Sequence, residues 1–116
     1  MAHLPLMREN FRSAIRRAAP WIKRVHLGNC VSHHPSDPFF GAKHPPIGYV
    51  NGDIDVPQLV EILATLQEIK FLDRANRGDV IVEINPFPGC SEDESVADNF
   101  RRVNEAWQIV QTQDSP

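Results

Sequence analysis

A single acidic residue inside an apolar run is the most informative chemical feature of this sequence. Glu83 lies within Val-Ile-Val-Glu-Ile at residues 80–84, where every neighbour is apolar. An ionised carboxylate is costly to bury unless it is paired, hydrogen-bonded or bound to a metal ion. The run is typical of a β-strand, and Glu83 comes near its C-terminal end, where barrels and open α/β sheets place their active sites. The alternative is an alternating strand with Glu83 on a solvated face, although Ile81 would share that face.

His26 has the matching position in a second short apolar run, after Val25 and before Leu27. Taken alone, such a residue is typically a hydrogen-bonded core histidine. An imidazole and a carboxylate together, however, suit a divalent cation such as Mn²⁺, Co²⁺, Zn²⁺ or Mg²⁺. If the two strands are adjacent, the equivalent positions of His26 and Glu83 favour a shared metal site.

The other histidines and the two cysteines match no ligand motif. Three histidines belong to one long loop, together with Asp37: His33, His34 and His44. Their spacing matches no zinc-finger template, so each is interpreted as a loop residue or a substrate contact. Cys30 and Cys90 follow the two strand ends and are predicted to be free thiols in a reducing compartment. The sequence also lacks a glycine-rich phosphate motif, Gly-x-Ser-x-Gly and Cys-x-x-Cys.

Hydrophobic periodicity predicts three helices around these strands. The first covers residues 8–19 and ends there because the residue before Pro20 disfavours helical angles. The second follows Asp55, which can cap it with Gln58 as the reciprocal partner. The third follows a capping box of Ser91 and Glu94. Their predicted apolar stripes are, in order, Phe11, Ala14, Ile15 and Ala18; Leu59, Ile62, Leu63, Leu66 and Ile69; and Val96, Phe100, Val103, Trp107 and Val110.

Two strands and one long loop make up most of the remainder. The second half of residues 21–27 predicts a short strand. The β-branched run at 79–85 predicts a strand that is buried on both faces, as in a parallel sheet. Between them, the loop at residues 28–57 holds five of the ten prolines. A loop of this length is usually functional or disordered, and its aromatic residues favour an ordered, functional loop.

The order of elements predicts an α/β fold with parallel strands. Strands that alternate with helices imply βαβ units with right-handed crossovers. Two strands cannot form a parallel sheet that stands alone, because its faces and edges need cover. A full (β/α)8 barrel takes about 250 residues, whereas this chain has 116. We therefore expect part of a TIM barrel: C-terminal βα units of an incomplete sheet over residues 1–116.

Composition excludes several classes of protein. With 41% hydrophobic and 23% charged residues, the chain resembles an ordinary soluble domain. No apolar run approaches the roughly 20 residues that span a bilayer, and residues 1–5 do not read as a signal peptide. We therefore expect a cytoplasmic protein with no membrane partner. A net charge of −3 argues against nucleic acid as a partner. The basic residues concentrated at 1–25 are interpreted as a solvated helix face, with a phosphate or nucleic-acid patch as the alternative.

Four short segments carry a family resemblance. They are Val-His-Leu-Gly-Asn-Cys at 25–30, Gly-Ala-Lys-His-Pro at 41–45, Val-Glu-Ile-Asn-Pro at 82–86 and Asn-Glu-Ala-Trp at 104–107. Taken in this order and spacing, they resemble the sugar phosphate isomerase/epimerase group of xylose isomerase-like TIM barrels. The resemblance covers nearly the whole chain, but only the C-terminal part of that family, from the helix before strand seven to the closing helix.

The resemblance implies a divalent metal (Mn, Co, Mg or Zn) held by residues from successive strand ends. His26 would be the strand-seven ligand. Glu83 would be the strand-eight ligand and also one of two acid/base carboxylates. His3 and His44 would contact the substrate. Because the family's other two ligands have no counterpart in this sequence, the metal is expected to bind weakly if the chain is alone.

The expected function is therefore proton transfer α to a carbonyl in a small sugar or sugar phosphate. A chain with part of the site is expected to be inactive alone, and its expected protein partner is a missing N-terminal barrel half or a second copy of itself. One alternative is an endonuclease IV-like metal phosphodiesterase, although the acidic balance of residues 26–116 disfavours DNA. The other is a non-catalytic α/β module that pairs with itself or with a partner through exposed sheet edges.

Overall fold

The computed structural model describes residues 1–73, 76, 78–85 and 91–113 as a mixed α/β fold. Its elements are α1 (His3–Leu6), α2 (Phe11–Ala18), a 3-10 turn (Ala19–Trp21), β1 (Arg24–Gly28), α3 (Val56–Glu68), β2 (Asp79–Glu83) and α4 (Glu92–Gln113). This order confirms the predicted alternation of strands and helices. None of the helices within the described ranges combines the length and apolar character needed to cross a bilayer.

The two strands pair in parallel, as predicted. The register runs from Arg24 opposite Asp79 to Gly28 opposite Glu83. Because side chains alternate along a strand, Val25 and Leu27 are buried on the inner face of the sheet. The outer face carries every second residue of each strand: Arg24, His26 and Gly28 on β1, and Asp79, Ile81 and Glu83 on β2.

Helices cover the inner face of this sheet. Helix α3 packs against both α2 and α4, and its Leu59, Ile62 and Leu66 are completely buried. The outer face is open among the described residues, and Ile81 is 40% exposed there. The prediction that residues 79–85 form a strand buried on both faces is therefore wrong for this structure. Among residues 1–73, 76, 78–85 and 91–113, helices pack against only one face of β2.

Helix α2 begins later than its hydrophobic pattern predicts. Asn10 caps it, and its side-chain oxygen accepts a hydrogen bond from the amide of Ser13 at 3.0 Å. Arg8 lies in the left-handed region with φ of 57°, so the helix cannot start there. Its buried residues are Phe11 and Ile15, both of the predicted stripe. The helix ends before Pro20, as predicted.

Helix α3 begins with the predicted capping box. The Asp55 side chain accepts from the first turn, and the Asp55 amide donates to Gln58 Oε1 at 2.9 Å. The predicted stripe is buried at Leu59, Ile62, Leu63 and Leu66. Local sequence signals therefore define this helix correctly.

Helix α4 presents a different face from the one predicted. Val96 and Phe100 are 43% and 53% exposed. The first half of the helix instead buries Ser95 and Asn99. This half packs on the backbone of the long loop, whose amides need hydrogen-bond acceptors. The amide of Ile47, for example, donates to Asn99 Oδ1 at 2.8 Å. The second half follows the prediction, with a buried Val110 among other core residues. The hydroxyl of Ser91 accepts from the Glu94 amide at 3.4 Å, which is one half of the predicted capping box.

Candidate active site

His26 and Glu83 meet on the open outer face of the sheet. The register places Glu83 opposite Gly28, two residues beyond His26. The two side chains reach each other diagonally across the strand pair, with His26 Nδ1 in contact with Glu83 Oε1. The predicted strands are thus adjacent and the two candidate ligands touch. Their role as metal ligands stays a prediction.

His44 contacts the same carboxylate from the long loop. Its Nε2 lies 3.3 Å from Glu83 Oε2, so each carboxylate oxygen faces one imidazole. The ring occupies the space above Gly28, where a Cβ atom would come within 2.3 Å of His44 Nδ1. The missing side chain of Gly28 therefore makes room for His44 beside Glu83.

Asn85, just beyond β2, holds the loop segment that carries His44. Its amide donates to the carbonyl of His44 at 2.7 Å. Its side-chain Nδ2 donates to the carbonyl of Lys43 at 2.6 Å. His44 has φ of 53°, in the left-handed region that non-glycine residues adopt at a cost. The two hydrogen bonds from Asn85 help to offset that cost.

The surroundings of Glu83 favour its charged form. The hydrogen bond with His26 lowers the pKa of Glu83, against the opposing effect of partial burial. The charges of His44 and His26 lower this pKa further. Glu83 is therefore ionised at neutral pH, and can act as a metal ligand or a proton acceptor.

His3 lies apart from the Glu83 cluster but near one member of it. It belongs to α1 and is exposed. A pocket of about 260 Å³ with mainly apolar walls is lined by both His3 and His26. Of the four predicted site residues, three are therefore in contact, and His3 borders the same pocket as His26.

The donor set is chemically suited to a divalent cation but is small. Among the residues that the structure describes, no group of three or more histidine, cysteine or acidic side chains has an arrangement that could hold a metal ion. His26 and Glu83 offer one imidazole nitrogen and one carboxylate, the donors that Mn²⁺, Co²⁺ and Zn²⁺ accept. The pair fits part of a ligand set whose other members come from elsewhere.

Asn29 organises the loop, a role that the sequence patterns did not identify. Its side chain is completely buried. Its Oδ1 accepts from the amides of Cys30 and Ile54, each at 2.8 Å, and its Nδ2 donates to the carbonyl of Pro46 at 3.0 Å. A polar residue directly after a buried strand is the signal that could have indicated this role.

Two aspartates hold the outer part of the same loop. Asp53 Oδ1 accepts from the amide of Ser32 at 2.8 Å. Asp37 Oδ2 accepts from Asn51 Nδ2 at 2.9 Å. His33 is 81% exposed and its Nε2 lies 3.9 Å from Asp53 Oδ2. The loop is therefore ordered, and His33 is a peripheral loop residue.

Cys30 is a buried free thiol. Burial, together with the neighbouring Asp53, raises the pKa of Cys30 to about 12. Cys90 lies outside the described residues, so the prediction that it too is a free thiol stays a prediction.

Several basic residues of the N-terminal region have acidic partners. Arg16 makes a two-point contact with Glu68, at 2.8 and 2.7 Å. The other pairs are Arg17 with Glu9 at 2.8 Å and Arg24 with Asp79 at 3.8 Å. This pairing is typical of a solvated, charged helix face.

Comparisons of this chain with known protein families, with curated proteins and with solved structures find no match.

Proposed function

We propose that this chain forms part of the active site of a divalent-metal-dependent sugar or sugar phosphate isomerase/epimerase, in a TIM barrel of which β1 and β2 are neighbouring strands. The observation that carries the proposal is the contact between His26 and Glu83, on adjacent parallel strands and on the face that bears no helix in the part of the chain that the structure describes. In a (β/α)8 barrel that face is the interior, and active sites lie at the C-terminal ends of the strands.

The arrangement of layers supports the barrel. Parallel sheets occur almost only with both faces covered, whereas Ile81 on the outer face of β2 is 40% exposed. Further parallel strands, closing around this face, would bury Ile81 and enclose His26 and Glu83. The helices α2, α3 and α4 would then belong to the outer ring of the barrel.

His26 and Glu83 would hold the metal. When bound, a divalent cation polarises substrate oxygens and so acidifies the adjacent carbon. With two donors assigned among the described residues, the remaining coordination positions would be left to other parts of the barrel, water and substrate.

Glu83 would move the proton. It is ionised at neutral pH, and a carboxylate can take a proton from the carbon next to a carbonyl and return it. His44 lies 3.3 Å from one carboxylate oxygen and His3 borders the pocket beside His26, where each would contact a substrate hydroxyl or phosphate. Epimerisation also needs a proton donor on the opposite face of the sugar, which we assign to a neighbouring strand.

Titration of the full chain with Co²⁺ tests the metal site. His26→Ala and Glu83→Gln are each expected to weaken binding about tenfold or more, since even outer-shell changes cost that much. His33→Ala is the matched control, because it removes an exposed imidazole outside the cluster. Equal affinity in all four proteins would refute the metal site.

The substrate class is tested by repeating the titration with a keto-sugar phosphate. Substrate oxygens that supply missing ligands should tighten Co²⁺ binding, because binding of the two ligands is coupled reciprocally. Inorganic phosphate at the same concentration is the control. An equal Co²⁺ affinity with the sugar phosphate and with inorganic phosphate would argue against a sugar substrate. Separately, rapid epimerisation by the 116-residue chain alone would argue against a partial site.

A further inference from the structure

The His44 ring is held by three features that do not involve a metal. Gly28 leaves the space that the ring fills, and Asn85 donates to the carbonyls of Lys43 and His44, which lie on either side of the His44 Cα atom. Glu83 faces its Nε2 at 3.3 Å. The position of the ring is therefore limited by Gly28 on one side, by the hydrogen bonds to its backbone, and by Glu83 at Nε2.

These contacts also determine where the ring carries its proton. A neutral imidazole has one N–H, on either Nδ1 or Nε2. His44 Nδ1 is buried and has no hydrogen-bond partner among the described residues, so a proton there would be an unsatisfied buried donor. Nε2 faces a carboxylate oxygen, which can only accept when ionised. The proton of neutral His44 therefore lies on Nε2.

We propose that Asn85 is a positioning residue which, together with Gly28, holds neutral His44 as its Nε2–H tautomer against Glu83. His26 contacts one oxygen of Glu83 and the Nε2 of His44 lies 3.3 Å from the other, so each carboxylate oxygen has an imidazole beside it. The importance of this orientation for proton transfer rests on the proposed function, while the positioning itself needs neither metal nor substrate.

Nitrogen NMR of the full chain, labelled with ¹⁵N-histidine and free of metal, tests the proposal. At a pH where His44 is neutral, its Nε2 should show the signature of a protonated ring nitrogen and its Nδ1 that of an unprotonated one. Asn85→Ala keeps the backbone amide that donates to His44 and removes only the side-chain hydrogen bond to the carbonyl of Lys43. Without that bond the signature of a single tautomer should weaken towards the average of the two tautomers. Asn51→Ala is the matched control, because it removes an amide donor from the same loop, at Asp37.

Gly28→Ala is a second, independent variant. Its methyl group would come within 2.3 Å of His44 Nδ1 and should displace the ring, with loss of the signature. Circular dichroism of each variant establishes that the fold is retained. Mixed tautomers in the unmodified chain, or an unchanged signature in folded Asn85→Ala, would overturn the proposal.

The outcomes separate this proposal from the proposed function. Suppose that the single tautomer depends on Asn85 but the Co²⁺ affinity is unchanged in His26→Ala and Glu83→Gln. The positioning role would then be supported and the metal site refuted. If instead Co²⁺ affinity falls in both site variants while the tautomer signature is unchanged in Asn85→Ala, the metal site would be supported and the role of Asn85 refuted.

Discussion

The surroundings of Glu83 and Cys30 move their pKa values in opposite directions. Glu83 accepts a hydrogen bond from His26, which lowers its pKa, whereas burial raises the pKa of Cys30 to about 12. At neutral pH the carboxylate is therefore charged and the thiol is neutral. The first can do acid/base chemistry, and the second is a core residue.

Cys30 is expected to react very slowly with iodoacetamide in the folded chain. The thiolate is the nucleophile, and a pKa of about 12 instead of 9.0 reduces its fraction at pH 8 by about a thousandfold. Peptide mass spectrometry at pH 8 measures the alkylation of Cys30 over time. The chain unfolded in urea is the reference, and equal rates in the two states would contradict the buried, protonated thiol.

Among the elements, α4 connects the long loop to the helical layer. Asn99 accepts from the amide of Ile47 and donates to the carbonyl of Ser95, and Arg102 forms ion pairs with Asp98 and Asp55. The helix thus contacts both the segment that follows His44 and the start of α3. The stability of the site depends on these polar contacts as well as on apolar packing.

Asn99→Ala is expected to lower the free energy of unfolding by roughly 1–3 kcal/mol, because it leaves the buried amide of Ile47 without an acceptor. Asn104→Ala, an exposed position on the same helix, should change it by less than about 0.5 kcal/mol. Urea unfolding followed by circular dichroism measures both. Similar costs for the two variants would argue against the connection through Asn99.

The ion pair of Asp98 with Arg102 should make stability depend on pH. The hydrogen bond from Arg102 lowers the pKa of Asp98, against the effect of burial. A carboxyl with a lower pKa in the folded state stabilises the fold above its ordinary value of 3.8, and this contribution is lost as pH falls through the lowered pKa.

Asp98→Asn should therefore destabilise the chain at pH 7, by less than about 1 kcal/mol because the pair is partly exposed. The difference from the unmodified chain should vanish in acid. Urea unfolding at both pH values measures it, with Glu105→Gln as an exposed control on the same helix. A difference that persists below the lowered pKa would contradict the role of this pair.

Elements with local signals were predictable, and elements held by distant polar contacts were not. The capping box at Asp55 and the apolar face of α3 lie within a few residues of one another, so their pattern defined the helix. The parallel pairing of β1 and β2 followed from the order of elements. The exposure of Val96 and Phe100 could not be predicted from the local pattern. It arises because Asn99 faces the loop and contacts Ile47, which is 52 residues away in the sequence. The roles of Asn85 and Gly28 were equally hidden, since each depends on the placement of His44.

For the molecule as a whole, the difference between the two sheet faces is the feature that most affects its behaviour. Val82 packs against the core on the inner face, while its neighbour Ile81 is 40% exposed on the outer face. Within the described chain, only the inner face carries a helical layer. Proteins that expose apolar sheet surface and strand edges tend to associate.

These two neighbours provide a matched test of that asymmetry. Val82→Ala should lower the free energy of unfolding by about 1–3 kcal/mol, because it removes core packing. Ile81→Ala should change it by less than about 0.5 kcal/mol in the monomeric chain, because the side chain is partly exposed. Urea unfolding at low protein concentration measures both, and light scattering after size exclusion reports the mass. The contrary result would be an equal loss of unfolding free energy at Ile81 and Val82 in a chain that is monomeric at every concentration. It would mean that the outer face is already covered. The proposed place for further barrel strands would then be lost.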